Sequence, residues 1–95
     1  MKDYMVRHTL RSAEAKSEFF PTFSNMSVED IKKALTNETA SLCMSWYNVN
    51  DIVFYCWWKA ESPEAIVAII KTLGPLGQTF ENEIRETPNV INVAG

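Results

Sequence analysis

The chain has 95 residues, 46% of them hydrophobic, with nine bases against twelve acids for a net charge of −3; this is the composition of one globular domain with a modest core. The bases are scattered and only Lys32 and Lys33 adjoin, so the clustered positive charge that holds a nucleic-acid backbone is missing. No run approaches the roughly 18 apolar residues of a membrane helix, and no apolar stretch with a cleavage signal opens the chain, so the expectation is a cytoplasmic protein with reduced thiols, binding neither nucleic acid nor membrane.

Asp3 to Leu10 alternates as a strand, with Tyr4, Val6, His8 and Leu10 on one face and Met5, Arg7 and Thr9 on the other. Ser12 is placed to cap a short helix from Ala13 to Phe20, which Pro21 would end; residues 21–26 read as loop. Ser27 caps a further helix with Glu29 and Asp30 in its first turn, near the positive end of the helix dipole. Val28, Ile31 and Leu35, with Ala34 beside them, give that helix one buried face, and Asn37 closes it.

Ser41 to Tyr47 and Ile52 to Trp58 read as two strands joined by the turn Asn48-Val49-Asn50-Asp51. Ser62, Pro63 and Glu64 then start a helix, Ile66, Ile69, Ile70 and Leu73 form its apolar stripe, and Lys71, Gly74 and Pro75 end it. A last strand runs from about Thr79 to Glu86, where Pro88 disrupts it; Glu81, Glu83 and Glu86 read as its solvated edge. The order strand, helix, strand, strand, helix, strand predicts an α+β ferredoxin-like fold, βαββαβ, with both helices on one face of an antiparallel sheet and one domain over residues 1–95.

A sheet with one face in water should alternate apolar and polar residues. The hairpin does not. One face would hold Cys43, Ser45, Tyr47, Ile52, Phe54, Cys56 and Trp58, the other Leu42, Met44, Trp46, Val53, Tyr55 and Trp57. Helices cover only one of these, and the other would be a larger apolar patch than a soluble monomer usually exposes. The expectation is a homodimer that stacks these faces isologously as a face-to-face α+β barrel.

Pairing Tyr47 with Ile52 sets Cys43 directly across from Cys56. The two cysteines can then be packed hydrophobes, a soft metal site with His8, or a redox pair. Thiolate and imidazole suit zinc, nickel or copper, although two cysteines and one histidine leave a shell incomplete. His8, the only histidine, is also the candidate proton-transfer residue, because imidazole suits that work near neutral pH; a hydrogen-bonded structural role is its plain alternative. The tryptophans and tyrosines of the hairpin suit either core packing or a pocket for a flat apolar ligand, with Cys43, Tyr47, Phe54 and Trp58 as the candidate ligand-binding residues.

The block from Tyr55 to Ile66, with its Tyr55-Cys56 pair and the run Ala60-Glu61-Ser62-Pro63-Glu64, resembles the third strand and second helix of a family of small bacterial ferredoxin-like domains of unknown or nickel-responsive function. The first strand, Tyr4-Met5-Val6-Arg7-His8, is similar as well. The resemblance implies metal binding for Cys56 and His8. The chain departs from the pattern at Lys59, where an acidic residue is expected, and in the longer segment from Ser12 to Met26. Two functions follow as expectations: a small homodimeric protein that binds a small ligand or a metal beside the aromatic sheet, or a cofactor-independent oxygenase or isomerase of the dimeric α+β barrel class using His8. Fold analogy alone does not carry the second.

Overall fold

The computed structural model describes every residue except 88, 90, 92 and 95. The elements run β1 (Lys2–Leu10), α1 (Ala13–Asn25), α2 (Val28–Ala34), β2 (Ala40–Tyr47), β3 (Val53–Ala60), α3 (Pro63–Lys71), a short 3₁₀ turn (Gly74–Gln78) and β4 (Phe80–Glu86). The strands form one antiparallel sheet in the order β2-β3-β1-β4. This α+β arrangement is compatible with a ferredoxin-like fold. Pro88 lies outside the described residues.

The three expected serine caps are made. The hydroxyls of Ser12, Ser27 and Ser62 accept from the backbone N–H of Ala15, Asp30 and Ala65 at 3.0, 3.1 and 3.2 Å. Each satisfies a donor that the first helical turn leaves free. Gly74 has φ 65°, the left-handed conformation expected just beyond α3.

Two helical expectations are corrected. Pro21 does not end α1, which continues through it to Asn25. A proline inside a helix removes one backbone hydrogen bond and costs about 3 kcal/mol. The offset is aromatic burial: Phe23, one turn beyond Phe19, stacks on it at 5.1 Å and meets Tyr47 edge-on at 5.8 Å. Val28, expected in a buried stripe, is 83% exposed, while Leu35 is buried and Ile31 half-buried. Val28 is the first residue of a seven-residue helix, and only the second turn of α2 reaches the core.

The hairpin register is also corrected. Tyr47 pairs with Phe54, not Ile52, and Ser45 lies opposite Cys56. The register then shifts between Leu42 and Met44, so that Leu42 pairs with Trp58 and Cys43 is the extra residue of a β-bulge. Leu42 therefore joins the helix-covered face and packs against the core. Cys43 is left exposed while Cys56 is buried, and the expected cysteine pair does not form.

The covered face follows the alternation of β1 and β3. Tyr4, Val6, His8, Leu10, Phe54, Cys56, Trp58 and Ala60 are all buried, under Phe19, Phe20 and Phe23 of α1 and Ile66, Ile69 and Ile70 of α3. Close packing at the end of α3 demands a glycine at 77, where a Cβ would lie 2.4 Å from the Ile70 carbonyl oxygen.

Candidate functional site

His8 is 2% exposed, on the helix-covered face of β1. Its ring stacks on Phe54 at 4.5 Å and meets Phe80 edge-on at 4.9 Å. The imidazole is thus held between two apolar rings, where charge is poorly solvated. Its Nδ1 lies 2.6 Å from Oδ1 of Asn82, its register partner on β4. With a carbonyl oxygen as partner, Nδ1 donates and Nε2 is the lone-pair nitrogen. Burial lowers the His8 pKa to about 4, against the smaller raising effect of the Asn82 hydrogen bond, so His8 is neutral at pH 7.

His8 borders a small chamber between sheet and helices, of about 20 Å³, which is room for about one water molecule. Phe54, Cys56 and Trp58 line it from β3, Leu42 from β2, and Phe19 and Phe23 from α1. The Cys56 thiol lies 3.0 Å from the Ser45 hydroxyl, and burial pushes its pKa up to about 12. Trp58 is 1% exposed, and among the described residues its indole Nε1–H has no acceptor. Leaving such a donor unmatched costs about 1–3 kcal/mol, so this is a group that a bound acceptor would stabilise.

A larger open groove of about 580 Å³ lies outside this chamber, between the end of α1, α2 and strand β2. Met26, Ile31, Met44, Ser45 and Tyr47 line it, and Cys43 lies at its β2 side. Phe23 and Leu42 are walls of both spaces.

The residues expected to bind a ligand are therefore divided. Phe54 and Trp58 line the chamber; Tyr47 and Cys43 line the groove. Tyr47 stacks on Phe20 at 5.5 Å, and its hydroxyl is 3.4 Å from that of Ser24. Burial raises the Cys43 thiol pKa, despite opposing help from Lys59. His8 and Cys56 share the chamber but do not make a metal centre. No group of three His, Cys, Asp or Glu side chains capable of holding an ion occurs among the described residues. His8 lies between two apolar rings and Cys56 is a buried thiol that resists ionisation, so nickel or zinc is not fitted by this set. The register that separates Cys43 from Cys56 also removes the redox pair.

Sequence reasoning missed Asn82 and the place of Leu42 on the covered face. Asn82 had one signal, a polar residue on the inner face of β4, but its pairing with His8 depends on a strand register that no turn sets. The alternation groups Leu42 with Met44 and Trp46 on one face, because a bulge leaves no mark in the hydrophobic pattern.

The uncovered face of the sheet carries Met44, Trp46 and Tyr55, each 46–47% exposed, with Met5, Val53 and Trp57 half-buried among them. Trp57 donates its indole N–H to Asp3 at 2.9 Å, and the Lys59 ammonium sits 6.0 Å from its ring centre. Toward β4 the face becomes charged, with Arg7 3.5 Å and Arg85 2.9 Å from Glu83. No helix of the described chain is long and apolar enough to cross a membrane. No family model, curated protein or solved structure matches the chain.

Proposed function

We propose that this protein is a homodimeric ferredoxin-like domain that binds a small, largely apolar ligand between its sheet and its helices. The observation that carries the reading is the buried Trp58 indole N–H, which has no acceptor among the described residues, in a side chain that lines the chamber, while Phe23 and Leu42 line both the chamber and the open groove. Ligand sites are typically apolar hollows with a few polar groups that fix orientation. Here the groove supplies volume, and Trp58 and His8 supply the polar groups.

Dimerisation is supported by the uncovered sheet face. Met44, Trp57 and Met5 stand in one register row and Trp46, Tyr55 and Arg7 in the next, a contiguous apolar surface of the kind that marks an interface. A second copy stacking the same face would cover it isologously, in the manner of the bacterial domain family that the sequence resembles.

A catalytic reading, with His8 moving a proton in an oxygenase or isomerase reaction, has in its favour the lone-pair nitrogen that Asn82 leaves on the ring. Its weakness is basicity: a group titrating near 4 is a poor general base at neutral pH. Ligand binding is the better supported of the two.

The test is titration of the protein with naphthalene, followed by tryptophan fluorescence and by hydrogen exchange. Saturable quenching with slowed exchange over residues 23–31 and 42–47 is expected. Absence of saturation, or protection confined to the uncovered sheet face, refutes the proposed site.

A further inference from the structure

We infer that β4 is an interaction edge whose partner is the β4 of a second copy, added antiparallel about Ile84 so that the sheet runs from one chain into the next. Neither the ligand chamber nor the stacked sheet face is needed for it. β4 is the last strand in the order β2-β3-β1-β4. Thr87 N–H donates to the Asp3 carbonyl at 2.9 Å, and Arg11 N–H donates to the Thr79 carbonyl at 3.0 Å. Bonded and non-bonded positions alternate along an antiparallel pair. In this register the odd-numbered residues of β4 therefore bond to β1, and the even-numbered ones turn their N–H and C=O groups outward. The Arg11 guanidinium takes the outward carbonyl of Phe80 at 3.4 Å. The outward backbone groups of Asn82, Ile84 and Glu86 have no partner among the described residues. Such a row is a template for a further strand. Beside it, between β4 and α3, an open groove of about 570 Å³ with Val67, Ile70 and Ile84 in its wall leaves room for that strand's inner side chains.

The charges on β4 select the partner and the register. Outward groups meet outward groups only where even residues stand opposite even ones. Among two-fold registers of that kind, centring on Glu81, Glu83, Arg85 or Glu86 sets that residue against its own copy, and centring on Asn82 sets Glu81 against Glu83. Like charges directly opposite are destabilising. Centring on Phe80 carries most of the free groups past the end of the strand. Centring on Ile84 leaves no like pair. It sets Glu83 opposite Arg85 of the second copy, and Arg85 opposite Glu83, with Asn82 opposite Glu86 and Ile84 opposite itself. Glu83 and Arg85 already lie 2.9 Å apart within one chain, so pairing joins two neutral ion pairs rather than burying a lone charge. Three outward positions on each copy then exchange backbone bonds with three on the other. Charges usually protect a strand edge; on β4 they exclude the competing registers and leave this one open.

A contact of this size belongs to the weak class of interfaces, so it is expected at about 500 µM and not at about 5 µM. Sedimentation of the full chain compares the two concentrations, with backbone amide exchange followed by NMR at each. With half of the chains paired, the weight-average mass should rise by about half or more, and exchange at Asn82, Ile84 and Glu86 should slow about twofold, while Glu83 and Arg85, already bonded to β1, change little. Arg85→Glu sets glutamate opposite Glu83 and should abolish both effects. Glu86→Pro removes an outward N–H that an edge strand does not need for folding and should weaken both. Should either variant not fold, the exchange pattern of the native protein decides alone. An unchanged mass, a mass rise without slower exchange at the three outward amides, or Arg85→Glu chains that associate as the native ones do overturns the inference. So does protection of those amides that is equal at both concentrations, which would mean that the chain covers its own edge. None of these outcomes touches the stacked face, whose failure is read separately as a monomer at 5 µM.

Discussion

The imidazole Nδ1 of His8 and the amide Oδ1 of Asn82 lie 2.6 Å apart across the β1–β4 pair. Asn82 is exposed and His8 is buried, so one contact joins the rim of β4 to the interior. It selects the tautomer of the one histidine in the chain, and with it the hydrogen-bonding character of the chamber.

Burying neutral His8 makes stability depend on pH. The unfolded histidine titrates near 6.5 and the folded one near 4, so between these values the unfolded state binds more protons. Stability should be complete above about pH 6.5, fall as pH drops toward 4, and lose no more from this group below that. At about 1.36 kcal/mol per unit the loss totals about 3 kcal/mol. Urea midpoints measured from pH 7.5 to 4 should show this decline, and His8→Phe should flatten it. A native profile without slope in that window contradicts the burial argument.

Asn82→Leu removes the acceptor for His8 Nδ1 without changing the core. An expected loss of about 1–3 kcal/mol follows from the unmatched donor, read as a lower denaturant midpoint at unchanged slope. Asn82→Asp should instead raise the His8 pKa, since a carboxylate stabilises the imidazolium. Histidine ring shifts followed by NMR through a pH titration would measure this; an Asp variant titrating at the native value argues against the contact.

The two thiols should behave independently. Cys43 is exposed and Cys56 buried, with burial pushing the Cys56 pKa up to about 12. A thiol reagent at pH 8 should modify one cysteine in the native chain, lost in Cys43→Ser, and both in denaturant. Mild oxidation should not form an internal disulfide. Recovery of a Cys43–Cys56 bridge from folded protein would refute the bulged register.

Charge placed on the uncovered sheet face should break the proposed dimer without unfolding the chain. Tyr55→Lys puts an ammonium in the row that holds Trp46 and Arg7. Sedimentation at micromolar concentration should give a dimer for the native protein and a monomer of unchanged helix content for the variant. A native monomer would remove the dimer from the proposal.

The glycines at the end of α3 should differ. Gly74 is left-handed but nothing lies within 4 Å of a Cβ built there, so Gly74→Ala should cost about 1–2 kcal/mol, the strain of that conformation alone. Gly77→Ala must displace backbone at Ile70 and should cost more. Thermal unfolding of the pair tests the order; equal shifts would be inconsistent with the packing.

Much of the frame was legible from residue order because it is local. Ser12, Ser27 and Ser62 cap helices through contacts three residues away, Gly74 terminates through its own φ, and period-two burial marks β1 and β3. These effects act within one or two turns, where chain neighbours suffice. What only the tertiary structure decided involves partners far apart in the chain. Phe23 reaching Tyr47 keeps α1 helical beyond Pro21, and the bulge at Cys43 puts Leu42 rather than a second thiol beside Trp58. The β1–β4 register sets Asn82 against His8, 74 residues away. Each depends on how strands slide against one another until the covered face is filled, a balance of packing over the whole sheet to which no short stretch of sequence has access.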